Sequence, residues 1–306
     1  MEEHGAFREA MKDVSGVVHV VSLVIGLVRS TYGRMILSIN PGLCCDEYPL
    51  IHGWQASDMS FDSRPDAVIP RAVTGTLNVL KAAQEEGTVR RVVLTSSSTA
   101  ALCAVQNDAG IVVDEDTWNY TSIEAAWSVN TPEEQKPGVV YSASKTKQEL
   151  AAWEWHRHAS CGFVLNTILP NVNIGPTISP EISGSTTALI RSLLVGDTMP
   201  IHLLKPQYFV DVRDTARLHV AALLDRSVAS QRIFAFAHAS NWNEIIPILR
   251  RFRPNNSQIP DPPEEEGRDL SDIRPREKAA QLLKRFFGQP DWITLEESLR
   301  SSIDGF

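Results

Sequence analysis

The order in which β-branched runs alternate with helix-patterned segments constrains this chain more than any other feature. VVHVVSLV (17–24) reads as a buried strand. DAVIPRAVTGTLNVLKAAQEEG (66–87) then places apolar residues at helical spacing and stops at a glycine. RRVVLTSSS follows, a short β-branched run opening into hydroxyls. Residues 141–159 pattern as a second helix, and FVLNTIL (163–169) as a third strand closed by Pro170. Strand, helix, strand, helix, strand with short crossovers predicts an α/β fold with a doubly wound parallel sheet, whose ligands lie beyond the carboxyl ends of the strands.

The second half has a different texture. After Pro176 the chain runs through GSTTALIRSLLVG, a strand at QYFVDV, a helix at DVRDTARLHVAALLD, the strand-like QRIFAFAH, and helices at 242–251 and 276–287. Between the last two lies a Pro-rich acidic loop, 253–267. The expected organisation is therefore an incomplete dinucleotide-binding domain at 1–176 and a mainly substrate-binding lobe at 177–306, some of whose segments return to the sheet.

Composition narrows the function classes. With 29 Lys and Arg against 37 Asp and Glu, the net charge of -8 offers no basic field for phosphates, so nucleic-acid binding is excluded. Four cysteines in 306 residues, none at zinc-ligand spacing, predict neither a disulfide framework nor a metal site. The most apolar stretch, 17–28, is too short and too polar for a membrane span, and the opening MEEHGAFREAMKD is acidic where a signal peptide is basic. A cytoplasmic protein without nucleic-acid or membrane partners is expected.

Tyr141 and Lys145 stand four apart in YSASK, so both side chains project from one helix face. An ammonium beside a phenol favours the phenolate and is expected to lower the phenol's pKa from about 10. Tyr141 would then serve as a proton donor. LTSSS sets a hydroxyl at the carboxyl end of the preceding strand, where it can hydrogen-bond a carbonyl oxygen that the tyrosine protonates. Other clusters read as structural. His156 and His158 lie two apart on a helix and face different ways, His19 reads as a core histidine, and Asp211, Arg213 and Asp214 as capping and pairing groups. Trp153 and Trp155 read as packing residues.

The motifs TSSSTAAL, YSASKTKQELAAW, LNTILPNVNIGP, QYFVDVRDTARLHVAALL and TLEESLRSSIDG resemble those of the extended short-chain dehydrogenases of the epimerase/dehydratase superfamily. The closest resemblance is to the dihydroflavonol-reductase-like aldehyde and ketone reductases of fungi. It covers residues 1–22 and about 60–306. It implies a nicotinamide cofactor, NADPH rather than NAD, and reduction of a small-molecule carbonyl by a monomer or homodimer, with secondary metabolism as the setting. Residue by residue, the catalytic serine falls on Ser97, with Ser96 and Ser98 as adjacent alternatives. The tyrosine is Tyr141, and the lysine is Lys145, which in the family also holds the nicotinamide ribose. Tyr141 and Lys145 thus count among the cofactor residues. Pro170 and Asn171 match the turn beside the nicotinamide ring, and Val21 and Ser22 the loop facing the diphosphate and ribose, although the family usually has a small residue in place of Val21. The same residues would serve an epimerase or dehydratase that recycles its cofactor. A non-catalytic truncated homologue is a further alternative.

Two departures from the family pattern stand out. The Gly-rich turn that receives the cofactor diphosphate has no counterpart here, so on the order of 60 residues of leading βα units are expected to be missing. Segment 23–59 breaks a join that runs directly from strand to helix in the family, and is expected to be translated intron sequence or else a true insertion. The chain as given is accordingly expected to be aggregation-prone and weakly active.

Overall fold

The structure is a computed structural model that describes residues 7–19, 62–178 and 185–306. Val21, Ser22 and segment 23–59 lie outside the described residues. The first elements are α1 (Arg8–Met11), β1 (Gly16–His19), α2 (Pro65–Glu86), β2 (Arg91–Thr95), β3 (Val112–Val113), α3 (Tyr120–Trp127), α4 (Lys136–His158), β4 (Val164–Pro170) and β5 (Val172–Ile174). They are followed by α5 (Ser185–Leu193), α6 (Met199–Leu203), β6 (Gln207–Asp211), α7 (Val212–Leu224), β7 (Arg232–Ala235), β8 (His238–Ser240), α8 (Trp242–Phe252), β9 (Asp272–Ile273), α9 (Arg276–Phe287) and α10 (Leu295–Ile303).

The chain divides into two compact units. The first takes Met1–Ala101, Trp118–Leu169 and His219–Arg232, and the second Leu102–Thr117, Pro170–Leu218 and Ile233–Phe306.

The first unit is built on the neighbouring strands β1, β2 and β4. β1 pairs parallel with β2 (Val17↔Val92) and β2 parallel with β4 (Val92↔Leu165, Thr95↔Ile168). Nearly every residue of β2 and β4 is buried, as expected of parallel strands covered on both faces. One core gathers Met11, Val17, Leu80, Val92, Leu165 and Phe163, with Trp153 and Trp155 packed against it. A second, of Val68, Ile69, Ala126, Val140 and Ala143, lies where α2, α3 and α4 meet.

Local sequence explains the helix boundaries. Gly87, at φ 69°, takes the left-handed conformation that closes α2, as its place after the apolar pattern predicts. α4 starts five residues before Tyr141, earlier than expected, because Pro137 fits the first turn, where no N–H is needed. Its last turn carries His156, Arg157 and His158, which suit the negative end of the helix dipole.

In the second unit β5 pairs parallel with β6, and β6 antiparallel with β8. A separate ladder joins β3 to β9. Asn241 and Thr294 cap α8 and α10 through their side-chain oxygens. The acidic loop expected at 253–267 contains no helix or strand. Asp211 is fully buried at the end of β6, where Arg213 grips it through Nε and Nη2 (2.8 and 2.9 Å) and Ser298 donates at 2.7 Å. Asp214, equally buried, accepts from the Ile293 amide at 2.8 Å and Gln289 at 2.9 Å. Burial raises the Asp214 carboxyl above its ordinary pKa.

Gly175, in the turn after β5, has φ +148°, and a Cβ there would sit 2.8 Å from Val212 Cγ1 and 3.3 Å from the Asp211 carboxylate. Both the backbone and the space therefore require glycine. Gly175→Ala is expected to cost ~1–3 kcal/mol of stability, read as a lowered urea midpoint with an unchanged slope.

Candidate active site

α4 buries an unusual stripe. Tyr141, Lys145 and Glu149 recur every fourth residue, and Lys145 and Glu149 are buried to 1% and 0% exposure where an amphipathic helix would place apolar side chains. The stripe belongs to the first unit, as do the carboxyl ends of β2 and most of β4.

After β2 the backbone turns through Ser96 and Ser97 into a single 3-10 turn, Ser98–Ala100. Ser97 is extended (φ -156°, ψ 153°) and caps this turn, its hydroxyl accepting from the Thr99 amide at 3.2 Å and the Thr99 hydroxyl at 3.0 Å. Asn119 braces the same turn by donating to the Thr99 carbonyl at 2.8 Å. Held this way, the Ser97 side chain hydrogen-bonds Tyr141. Ser96 instead donates to Glu149 at 2.6 Å. Of the adjacent serines weighed from sequence, Ser97 is the one joined to the tyrosine.

Lys145 donates from Nζ to the Thr95 carbonyl at 3.2 Å. Burial lowers its pKa to about 7, against a smaller upward pull from Glu149. The Tyr141 phenol moves the other way. Burial raises its pKa above the ordinary value, offset only partly by the bond to Ser97. This corrects the expectation that the lysine lowers the phenol. Lys145 has left water and Tyr141 has largely done so, and a lysine itself near pKa 7 is only half charged at neutral pH, so desolvation outweighs attraction. The consequence is a tyrosine that keeps its proton at neutral pH and part of whose surface remains exposed.

Around the stripe are residues that sequence reading missed. Glu149 accepts from Ser96, from Thr167 at 2.7 Å, from Trp153 Nε1 at 3.2 Å and from Arg232 Nε at 2.9 Å. The Arg232 guanidinium stacks 3.7 Å over the Trp118 ring. On the other side of Lys145, Thr95 Oγ1 and His219 Nε2 share a buried hydrogen bond of 2.6 Å. Glu149 had a readable signal, its place one helical turn beyond Lys145. His219, Arg232 and Trp118 are distant in sequence and had none.

The remaining expected residues are less gathered. Pro170 ends β4 and Asn171 follows it, both in the second unit, where the Asn171 amide donates to the Ala235 carbonyl at 3.2 Å. His19 is buried in β1, His156 meets the Phe163 carbonyl at 2.8 Å and His158 is exposed. Trp153 and Trp155 pack on the core. No described helix is long and apolar enough to cross a membrane. A cleft of about 410 Å³ in the second unit has Arg213 and Arg217 in its wall, but these already pair with Asp211 and Asp214.

Comparison with known proteins bears on this geometry. Residues 48–236 match the NAD dependent epimerase/dehydratase family. Ketoreductase adrE of Penicillium rubens is 37% identical over 99% of this chain and 78% of its own length. Aldehyde reductase 2 of Sporidiobolus salmonicolor is 34% identical over the same shares of the two chains. Among solved structures, Gre2 of Candida albicans in complex with NADPH superposes with a TM-score of 0.70 at 22% identity, over 99% of this chain and 80% of that one. This likeness establishes the doubly wound α/β fold.

The buried ammonium sets a pH-dependent stability. A folded-state pKa near 7 against an unfolded value near 10.4 means that the unfolded chain binds the extra proton between those limits, so this group's penalty is complete below pH 7 and fades as pH rises to ~10. Lys145→Met is therefore expected to stabilise the chain at pH 6 by ~2 kcal/mol and to lose most of that gain by pH 9.5. Urea midpoints of both forms at the two pH values check it. An equal difference at each would show that the ammonium carries no such penalty.

Proposed function

The chain belongs to the NAD dependent epimerase/dehydratase family, and from that premise we propose that it is an NADPH-dependent reductase of an aldehyde or ketone. The observation that carries this reading is the Ser97–Tyr141 hydrogen bond beside a buried Lys145, at the carboxyl ends of parallel strands. The similar proteins named ketoreductase and aldehyde reductase support the carbonyl substrate class, and the NADPH complex of Gre2 supports the cofactor.

The donor set fits a nicotinamide cofactor. The Lys145 amine donates to the Thr95 carbonyl, and the Tyr141 phenol projects from the same helix face, so an amine and a phenol of the kind that hydrogen-bond ribose hydroxyls stand together. In this reading Tyr141 and Lys145 would hold the nicotinamide ribose. The bound cofactor supplies a hydride to the carbonyl carbon. Ser97 orients the carbonyl oxygen by donating to it, and Tyr141 gives that oxygen its proton. The raised phenol pKa keeps this proton in place through neutral pH. The Lys145 ammonium stabilises the phenolate that remains.

Tyr141→Phe removes the proton donor and little binding surface. It is expected to lower kcat for an aldehyde by at least ~10²-fold while the Kd for NADPH changes less than about threefold. Lys145→Ala should weaken both. Stopped-flow turnover and fluorescence titration with NADPH separate the two effects, and full turnover by Tyr141→Phe would overturn the assignment.

A further inference from the structure

A carboxylate that is fully buried, hydrogen-bonded from three elements and set one helical turn from a catalytic lysine does more than fill space. Glu149 holds four protein donors at once: Ser96 from the turn after β2, Thr167 from β4, Trp153 from its own helix and Arg232 from β7. Arg232 is itself 7% exposed and clamped over Trp118, so the ion pair is fixed at both ends.

We propose that Glu149 is a positioning residue for the reaction: locked by Arg232, it holds the Ser96–Ser97 turn and sets a carboxylate one helical turn from Lys145 on α4. The inference rests on the carbonyl-reductase reading of the site and adds a residue to it. Two features of the geometry support it. Ser96 is covalently next to Ser97, so anchoring the Ser96 hydroxyl at 2.6 Å fixes the direction in which Ser97 faces Tyr141. Glu149 lies at the i+4 position from Lys145 and acts on it electrostatically, opposing the desolvation that favours the neutral amine. Among the described residues, other titratable or charged groups near the lysine include Tyr141 on α4, His219 on α7 through Thr95, and Arg232, whose positive charge lies beyond Glu149. Glu149 is the carboxylate among these four groups.

Glu149→Gln tests the charge while keeping the shape. In the 306-residue chain with 13C-labelled lysine, the Lys145 Cε resonance, assigned by its loss in Lys145→Met, reports the titration without cofactor or substrate. The midpoint is expected to fall by ~1 unit, at the low end for loss of a nearby opposite charge. Turnover with NADPH and an aldehyde should then fall about fivefold at pH 7 and recover near pH 5.5, because a one-unit shift takes the protonated fraction from about one half to about one eleventh. Glu149→Asp should restore most of the midpoint. If the single variant fails to fold because Arg232 is left buried and alone, the double variant Glu149→Gln with Arg232→Gln removes both charges, and a smaller downward shift is expected, because loss of the Arg232 positive charge offsets part of the loss of the carboxylate. A folded Glu149→Gln variant whose Lys145 midpoint stays within 0.2 unit of that measured in the unmodified chain would overturn the proposal. Absence of turnover in the unmodified chain would instead count against the reductase reading, and the resonance would still decide the role of Glu149.

Discussion

The burial of one ammonium organises the first unit. Taking Lys145 out of water disfavours its charge strongly, and nothing apolar can offset that penalty. The neighbourhood is built to do so. The Thr95 carbonyl at the end of β2 accepts from Nζ, Glu149 stands a turn away on the same helix, and Arg232 prevents Glu149 from becoming a second uncompensated charge. Because these partners come from β2, β4, α4 and β7, the polar cluster can form only when the parallel strands are in register. The pairing Thr95↔Ile168 brings the two strand ends level. It lets Ser96 and Thr167 reach the same carboxylate from neighbouring strands.

The same cluster explains how an ordinary serine acquires a role. Ser97 has no feature of its own that distinguishes it from Ser96 or Ser98. Its environment does. The 3-10 turn that it caps uses its hydroxyl as acceptor for the Thr99 amide, which fixes its rotamer, while the Ser96 hydroxyl is held by Glu149. Ser97 is thereby the serine left to act on Tyr141. Specificity among three identical residues is thus a property of the fold.

The sequence carried the fold class and the central pair because both are local. Helix periodicity in 66–87, the stop at Gly87 and the β-branched runs before and after α4 are written within single segments, and Tyr141 and Lys145 share a helix face by spacing alone. What stayed hidden depends on tertiary placement. His219 and Arg232 approach the site from 124 and 83 residues away, and no pattern in their own segments marks them. The shift of the Tyr141 phenol was read with the wrong sign because spacing reports which charges are near and says nothing of how much water is lost. Pro170 and Asn171 were legible as the end of a strand, where a change of direction follows from proline chemistry.

The two units solve the problem of buried charge in different ways, and the difference separates scaffold from site. In the second unit Asp211 and Asp214 are each satisfied by short contacts to fixed partners: a guanidinium and a serine for one, a backbone amide and a glutamine for the other. Every bond there strengthens the fold, and the acids serve as anchors for α7 and α10. In the first unit the buried charge is a lysine whose ammonium form burial disfavours. Lys145 donates to a backbone carbonyl, sits near pKa 7, and keeps both charge states within reach at neutral pH. A group held between two protonation states costs stability that a methionine would return, and such a cost persists where the chemistry of the site requires it. The carboxylates of the second unit are placed to hold structure together, and the lysine of the first is placed to respond.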